Sequence, residues 1–292
     1  MKRLIINADD FGLTAGVNRA IVELHRRGTL TSTTLMAHAS ATEAAIDLAV
    51  ATPMLGIGCH VVLVDGESVL PSTKLPLLTD PAQTKGSFEP KLGRFLGLVY
   101  GNKGLFIENA QLAREMQAEA TAQIALLQSC GLRLTHLDTH KHTHMFPRVL
   151  RPVLRAARTR GIRVVRNPFE PPWSRHATPG APWLRQAQVS LLHTLESSFR
   201  RIVAEEGFIT TDGAVGVLAT GTLNAAALTS LLTAMPEGTW ELVTHPGYND
   251  ADLANAGTRL LASREIELYA LRDLAVAEGI KLIHFGQLDS SS

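Results

Sequence analysis

The chain has 292 residues, 45% of them hydrophobic, and a formal net charge of +1 at pH 7. So balanced a charge gives no electrostatic case for a nucleic-acid or anionic-membrane partner. Its two cysteines, Cys59 and Cys130, form no C-x-x-C pair and no disulfide framework, so both are expected as reduced thiols.

The apolar run at 3–8 reads as a buried strand that ends in Asp9-Asp10-Phe11-Gly12. The run is too short for a signal-peptide core. No stretch approaches the roughly 18 apolar residues of a membrane span. The expectation is a cytoplasmic protein without an integral membrane segment. Val17, Ala20, Ile21 and Leu24 are spaced for a helix over 14–27, with Thr14 as N-cap and Gly28 as stop. A second strand is expected at 32–37, a helix at 41–51, and a third strand at 55–63 carrying Gly58-Cys59-His60. Residues 65–109 are rich in Gly, Pro, Ser and Lys and read as a long excursion with short helices. A helix over 110–130 leads to a fourth strand at 134–140, a basic helix at 147–160 with a solvated arginine face, and a fifth strand at 163–167. An irregular stretch follows at 168–182, then a long helix at 184–206, short strands at 207–211 and 215–219, and a helix at 225–234. The strand at 240–244 runs into His245-Pro246-Gly247-Tyr248, and a helix at 263–278 and a strand at 280–286 precede a frayed tail at 289–292. Apolar strands alternating with helices predict an α/β fold, a single-domain parallel β/α barrel over 1–292. It is TIM-like, has seven or eight strands and is closed or incompletely closed, with excursions at about 65–109 and 169–222.

One stretch stands apart. Residues 135–144, Thr-His-Leu-Asp-Thr-His-Lys-His-Thr-His, hold four of the 11 histidines. His136, Asp138, His140, His142 and His144 occupy alternate positions, which on an extended strand share one face. Imidazoles beside a carboxylate suit a divalent first-row metal, the plainer alternative being a solvated polar strand. The segment cannot complete a coordination sphere alone. Asp9-Asp10, His60, His140, Arg166 and His245 come from five different units, and each follows an apolar strand at its C-terminal end. In β/α folds the βα loops meet at that edge and carry the active site. Singly, each has an ordinary explanation: a helix cap, a hydrogen-bonded core histidine, a strand exit, a turn. Five converging on one rim are harder to explain that way.

The motifs Asn7-Ala8-Asp9-Asp10-Phe11-Gly12, Gly58-Cys59-His60, the histidine-rich stretch and Thr244-His245-Pro246-Gly247 resemble, in the same order, the YdjC-like carbohydrate deacetylases. That family includes chito-oligosaccharide deacetylases, and some relatives belong to hopanoid pathways. The resemblance implies a barrel-like fold, often dimeric, and a divalent metal, magnesium by resemblance with zinc as the alternative. It implies Asp10, His60 and His140 as metal ligands, Asp9 as catalytic base and His245 as acid. Related NodB-type polysaccharide deacetylases use both histidines of an H-x-x-x-H pair, which makes His144 a reserve ligand. Arg166 is expected to hold Asp9 ionised and oriented, and Asp138 to fix an imidazole tautomer. Trp173, Trp183 or Tyr248 could stack on a sugar ring, core burial being the ordinary fate of such residues. The expected activity is hydrolysis of the N-acetyl group of an amino sugar, free or in an oligosaccharide or glycoconjugate, by a homodimer. The rivals are another barrel metallohydrolase, such as a phosphoesterase or amidohydrolase, and a catalytically silent sugar-binding protein.

Overall fold

The sheet is built around its first strand, β1 (Lys2–Phe11), which is buried from Leu4 onward. In the computed structural model, which describes residues 1–79, 86–101, 109–178, 180 and 183–288, every pairing of the seven strands is parallel. After β1 come α1 (Ala15–Arg26), β2 (Ser32–Leu35), α2 (Thr42–Val50), β3 (Gly56–Val61), α3 (Leu92–Gly101), α4 (Ala110–Ser129), β4 (His136–Thr139) and α5 (Pro147–Thr159). They are followed by α6 (Pro172–His176), α7 (Trp183–His193), α8 (Glu196–Glu205), β5 (Gly213–Val215), α9 (Ala225–Ala234), β6 (Gly238–Thr244), α10 (Ala251–Asn255), α11 (Ala262–Arg272) and β7 (Ile280–Leu282). The strand order is β4-β3-β2-β1-β6-β5, with β7 added to β1. β1 takes β6 along Lys2–Ala8, β7 beside its first residues and β2 beside its last. Parallel strands covered on both faces cannot alternate with solvent, which is why they read as continuous apolar runs.

The sheet curls into an incompletely closed barrel. Between β4 and β5, where a full barrel needs another strand, there are only isolated parallel bridges, Leu137 to Val165 and Val164 to Ile209. The strand expected at 163–167 is thus reduced to bridges, as is the one at 207–211. Pro168 has no N–H to continue a ladder and restricts the residue before it. The strand expected at 215–219 lies at Gly213–Val215 instead, because Gly216 turns the chain at φ 93 and has room for no Cβ, which would fall 2.7 Å from Val243 O. The long helix expected at 184–206 divides into α7 and α8, and the last helix ends at Arg272. At the division Thr194 Oγ1 donates to Leu191 O at 2.6 Å, a local side-chain bond that competes with the helical ladder. Thr14 caps α1 as expected, accepting from Val17 N at 3.2 Å.

The described part of the excursion after β3 is not structureless. Antiparallel bridges join Glu67 to Ser87 and Thr79 to Phe88. Two buried carboxylates on α4 take up its backbone donors. Glu119 accepts from Val69 N at 2.8 Å and Leu70 N at 3.0 Å, and Glu115 from Leu77 N at 2.8 Å and Leu78 N at 3.0 Å. These carboxylates satisfy N–H groups that no strand partner reaches. On α5, the arginines lie on a solvated face as expected, and at its edge Arg151, Arg155 and Arg158 all reach Glu206, which caps the end of α8. The tail at 289–292 lies outside the described residues. Among those residues no helix is long and apolar enough to cross a membrane.

Candidate active site

The site opens at the C-terminal ends of β1, β3, β4 and β6. Successive residues of a strand normally face opposite ways. Asp10 breaks that rule with φ 65, in the left-handed region that Asp tolerates better than most residues. The kink brings the carboxylates of both Asp9 and Asp10 to one side.

Three atoms there form a triangle. Asp10 Oδ1 lies 3.5 Å from His60 Nε2 and 3.5 Å from His140 Nδ1, and the two nitrogens are 3.2 Å apart. Ligand atoms set tetrahedrally at about 2.0–2.1 Å around a cation are separated by roughly 3.3 Å, so this donor set fits a divalent metal in both chemistry and spacing. A second group, Asp9, His60 and Asp138, is close enough to be considered among the described residues. Its donors are already committed, because Arg166 holds both carboxylates and His60 Nδ1 faces Asp138 Oδ1 at 2.7 Å. That contact keeps a proton on Nδ1 and turns Nε2 toward Asp10 and His140, the usual support for a ligating histidine. Burial works to lower the His60 pKa, but the charge and hydrogen bond of Asp138, with Asp9 and Asp10 beyond, outweigh it and carry it up to about 9.

Asp9 is gripped by Arg166, whose Nη1 donates to Oδ2 at 2.8 Å and Nη2 to Oδ1 at 2.6 Å. Asn7 Nδ2 adds a bond to Oδ1 at 3.0 Å, and Thr34 Oγ1 another at 3.4 Å. Burial is the largest influence and pushes the Asp9 pKa up, but the charge and hydrogen bonds of Arg166 together with the His60 charge outweigh it, and the net is a lowered pKa. Arg166 is fully buried and also donates to Glu241 Oε1, from Nε at 2.8 Å and Nη2 at 2.6 Å. His245 Nε2 stands 3.8 Å from Asp9 Oδ2, and burial depresses its pKa to about 4. Asp10 Oδ2 receives Arg264 Nη2 from α11 at 2.5 Å. From the same helix Glu267 Oε2 accepts from His245 N at 2.6 Å.

The six residues singled out in the sequence therefore meet at one rim, but the histidine-rich stretch does not behave as expected. β4 stops at Thr139, and His140–Met145 forms a 3₁₀ turn. Lys141 and His142 are both left-handed, at φ 54 and 51, so the alternate residues no longer share a face. Asp138 and His140 reach the triangle. His136 lies behind, stacked on Phe285 at 3.9 Å, and burial holds it neutral by lowering its pKa to about 3. His144 is outside both candidate ligand groups; its Nδ1 is 2.7 Å from Thr139 Oγ1 and its ring meets Phe199 edge-on. Of the aromatics, Trp173 packs against Trp240, Tyr248 donates to Glu23 at 2.6 Å, and Trp183 is 79% exposed on α7. Cys59 is buried beside His60 and faces away from it, and burial pushes its thiol pKa up. The sequence reading missed Glu241, Arg264 and Glu267. Only Glu241 left a signal, as a lone charge in the apolar run Trp240-Glu241-Leu242-Val243.

Residues 3–281 match a family model described as YdjC-like protein. A carbohydrate deacetylase of Brevibacillus brevis is 38% identical over 171 residues, 59% of this chain, and the match spans only 60% of that relative's length. A carbohydrate deacetylase of Thermoanaerobacter pseudethanolicus is 27% identical over 281 residues, 96% of this chain and 95% of the relative. Among solved structures, a protein of Enterococcus faecalis described as a candidate for cellobiose-phosphate cleavage superposes with a TM-score of 0.74. It is 26% identical, and the match covers 98% of each chain. The lactam utilization protein of Thermus thermophilus, 14% identical with a TM-score of 0.51 over 97% of this chain and 99% of its own, shares the fold alone.

Proposed function

The chain belongs to the YdjC-like protein family, and from that premise we propose that it is a divalent-metal-dependent hydrolase that removes the N-acetyl group of an amino sugar. The observation that carries the reading is the triangle of Asp10 Oδ1, His60 Nε2 and His140 Nδ1 beside a carboxylate, Asp9, kept ionised by Arg166. The curated relatives named carbohydrate deacetylases supply the substrate class.

Asp10, His60 and His140 would hold the cation, which supplies Lewis acidity to a water and to the acetyl oxygen. Asp9 takes the water's proton as the new carbon–oxygen bond forms. Arg166 keeps that carboxylate in one plane and offsets the cost of its ionisation in a dry site. The carbon–nitrogen bond then breaks, and the departing nitrogen takes a proton from His245. Asp9 Oδ2 and His245 Nε2 stand 3.8 Å apart, so one bridging water or a small approach of the imidazole would let the proton removed from water be the one delivered. The products are acetic acid and a free amine, which become acetate and an ammonium by transfer of one proton between them, and the protein neither gains nor loses a proton. The choice among magnesium, zinc and other divalent ions belongs to the same test.

Cleavage of a phosphorylated disaccharide is the second reading, favoured by the description of the Enterococcus faecalis structure. Both arginines of the rim already serve carboxylates, which suits a neutral amide better than a phosphate dianion. The test is acetate release from N-acetylglucosamine and diacetylchitobiose by metal-stripped protein with each divalent ion added back. Release of glucose, and of inorganic phosphate, from cellobiose phosphate is measured in parallel. Metal-dependent acetate that vanishes in His140→Ala supports the deacetylase. Glucose or phosphate without acetate would replace it with the second reading.

A further inference from the structure

Arg264 sits on α11, a helix that contributes none of the residues picked out by motif. Its side chain is nonetheless 1% exposed and ends against Asp10. Nη2 donates to Asp10 Oδ2 at 2.5 Å, Nε donates to Leu260 O at 3.1 Å, and Nη1 is buried without a partner. The same residue's carbonyl accepts from Gly247 N at 3.2 Å, and three positions on, Glu267 accepts from His245 N at 2.6 Å. One helix thus grips both ends of the rim, residue 10 and residues 245–247.

A buried guanidinium with an unfilled donor is costly and calls for an explanation. The geometry of Asp10 supplies one. A carboxylate can offer a cation one oxygen or both. Here Oδ2 is taken by Arg264, and Oδ1 is the oxygen that faces the two imidazole nitrogens. We propose that Arg264 is a positioning residue that holds Asp10 as a one-oxygen ligand and keeps the second oxygen out of the coordination shell. The inference rests on the reading of Asp10, His60 and His140 as the ligands. It has two chemical consequences. The position that a bidentate carboxylate would fill stays open for water or the acetyl oxygen. The guanidinium also draws negative charge from the carboxylate, so a bound cation keeps more of its polarising power. Arginine suits this better than lysine, since a planar fork fixes the plane of the carboxylate and a point charge does not.

Co²⁺ reports the shell directly, because its visible absorption weakens as its coordination number rises. Full-length metal-stripped wild type, Arg264→Met and Arg264→Lys are titrated with Co²⁺, and the absorption spectrum, kcat and KM for acetate release are recorded. In Arg264→Met, Co²⁺ binds at least as tightly as in wild type, its absorption weakens as the second oxygen enters, and kcat falls about tenfold to a hundredfold with KM little changed. Arg264→Lys falls between the two. A wild-type spectrum and wild-type kcat in Arg264→Met overturn the proposal, and so does loss of Co²⁺ binding in both variants. Should Arg264→Met fail to fold, Arg264→Lys carries the test by the same two readings. Failure of the underlying metal reading looks different. In that case wild type itself shows no Co²⁺ spectrum that disappears in His140→Ala.

Discussion

Asp9 is held by Arg166 through both of its oxygens, whereas Asp10, the next residue, is held by Arg264 through one. Both carboxylates are buried, and each meets an arginine from a distant part of the chain. Burial is the largest single influence and pushes both pKa values up, but Arg166 with His60 at Asp9, and Arg264 with His140 and His60 at Asp10, together outweigh it and leave each group below the ordinary carboxylate range. Acidity therefore does not separate them. What separates them is the free lone pairs. Asp9 Oδ1 already takes Arg166, Asn7 and Thr34, while Asp10 Oδ1 looks toward two imidazoles with no donor of its own chain committed to it beyond them. The comparison shows how one side-chain type, used twice in succession, becomes a base in one place and a ligand in the other. The change in role follows from which oxygens the surrounding donors leave free.

The sharpest way to break this comparison is to neutralise each carboxylate in turn. Asp9→Asn is expected to lower acetate release by about 10²–10⁴-fold, the usual worth of a positioned general base. Its Mn²⁺ affinity should stay within a few fold of wild type by calorimetry. Asp10→Asn should lose activity and Mn²⁺ affinity together. If the two variants lose the metal equally, Asp9 is a ligand as well and the division of labour proposed for the pair is wrong.

How far the sequence reaches depends on the same kind of detail. The strands were legible because parallel strands buried on both faces must be apolar throughout, and their ends located Asp9, Asp10, His60, His140, Arg166 and His245 at one rim. The histidine stretch misled because a period of two assumes that the chain stays extended. Lys141 and His142 turn it with positive φ, and no glycine marks the place. Arg264 and Glu267 were invisible for another reason. On an amphipathic helix, charged residues three apart are usually solvated, and nothing local distinguishes this pair, which turns inward to Asp10 and His245. The same blindness covers Glu115 and Glu119, whose carboxylates anchor the excursion that follows β3.

A smaller effect comes from the far side of Arg166. Glu241 gives the guanidinium Oε1, while its Oε2 is buried without a partner. Burial is the dominant influence and raises its pKa from 4.5 to about 7 against the pull of Arg166. The folded pKa lies above the unfolded one, so the folded state binds the proton more tightly. Glu241 therefore favours the fold most at low pH, and that contribution is lost as pH rises from about 4.5 to about 7. Glu241→Gln keeps an oxygen for Arg166 and has no such titration. Its thermal midpoint relative to wild type should climb by a few degrees across that window in metal-stripped protein, and stay level above it. A flat difference from pH 4.5 to 8 would mean that Glu241 stays ionised throughout, and that Arg166 then balances three full charges.

The smallest effect separates the rim from the excursion beside it. Lys141 is left-handed at φ 54, and its ammonium reaches Asp65 Oδ2 at 2.6 Å and Pro90 O at 3.1 Å, tying the excursion to the turn that carries His140. Asp65 is itself left-handed at φ 55. The pair is partly exposed, and such pairs are worth up to about 1 kcal/mol. Lys141→Ala loses the pair and keeps the backbone strain, so a drop in thermal midpoint of about 2–4 °C is the most to expect. Lys141→Gly loses the same pair but relieves a left-handed backbone worth about 1–2 kcal/mol, against an unfolded-state entropy cost of roughly 0.5–1 kcal/mol. Glycine should therefore be no worse than alanine here, the reverse of their order at an ordinary position. In both variants Mn²⁺ affinity should match wild type, because the clasp touches neither Asp10 nor His60. If alanine proves more stable than glycine, the left-handed turn after His140 carries no strain.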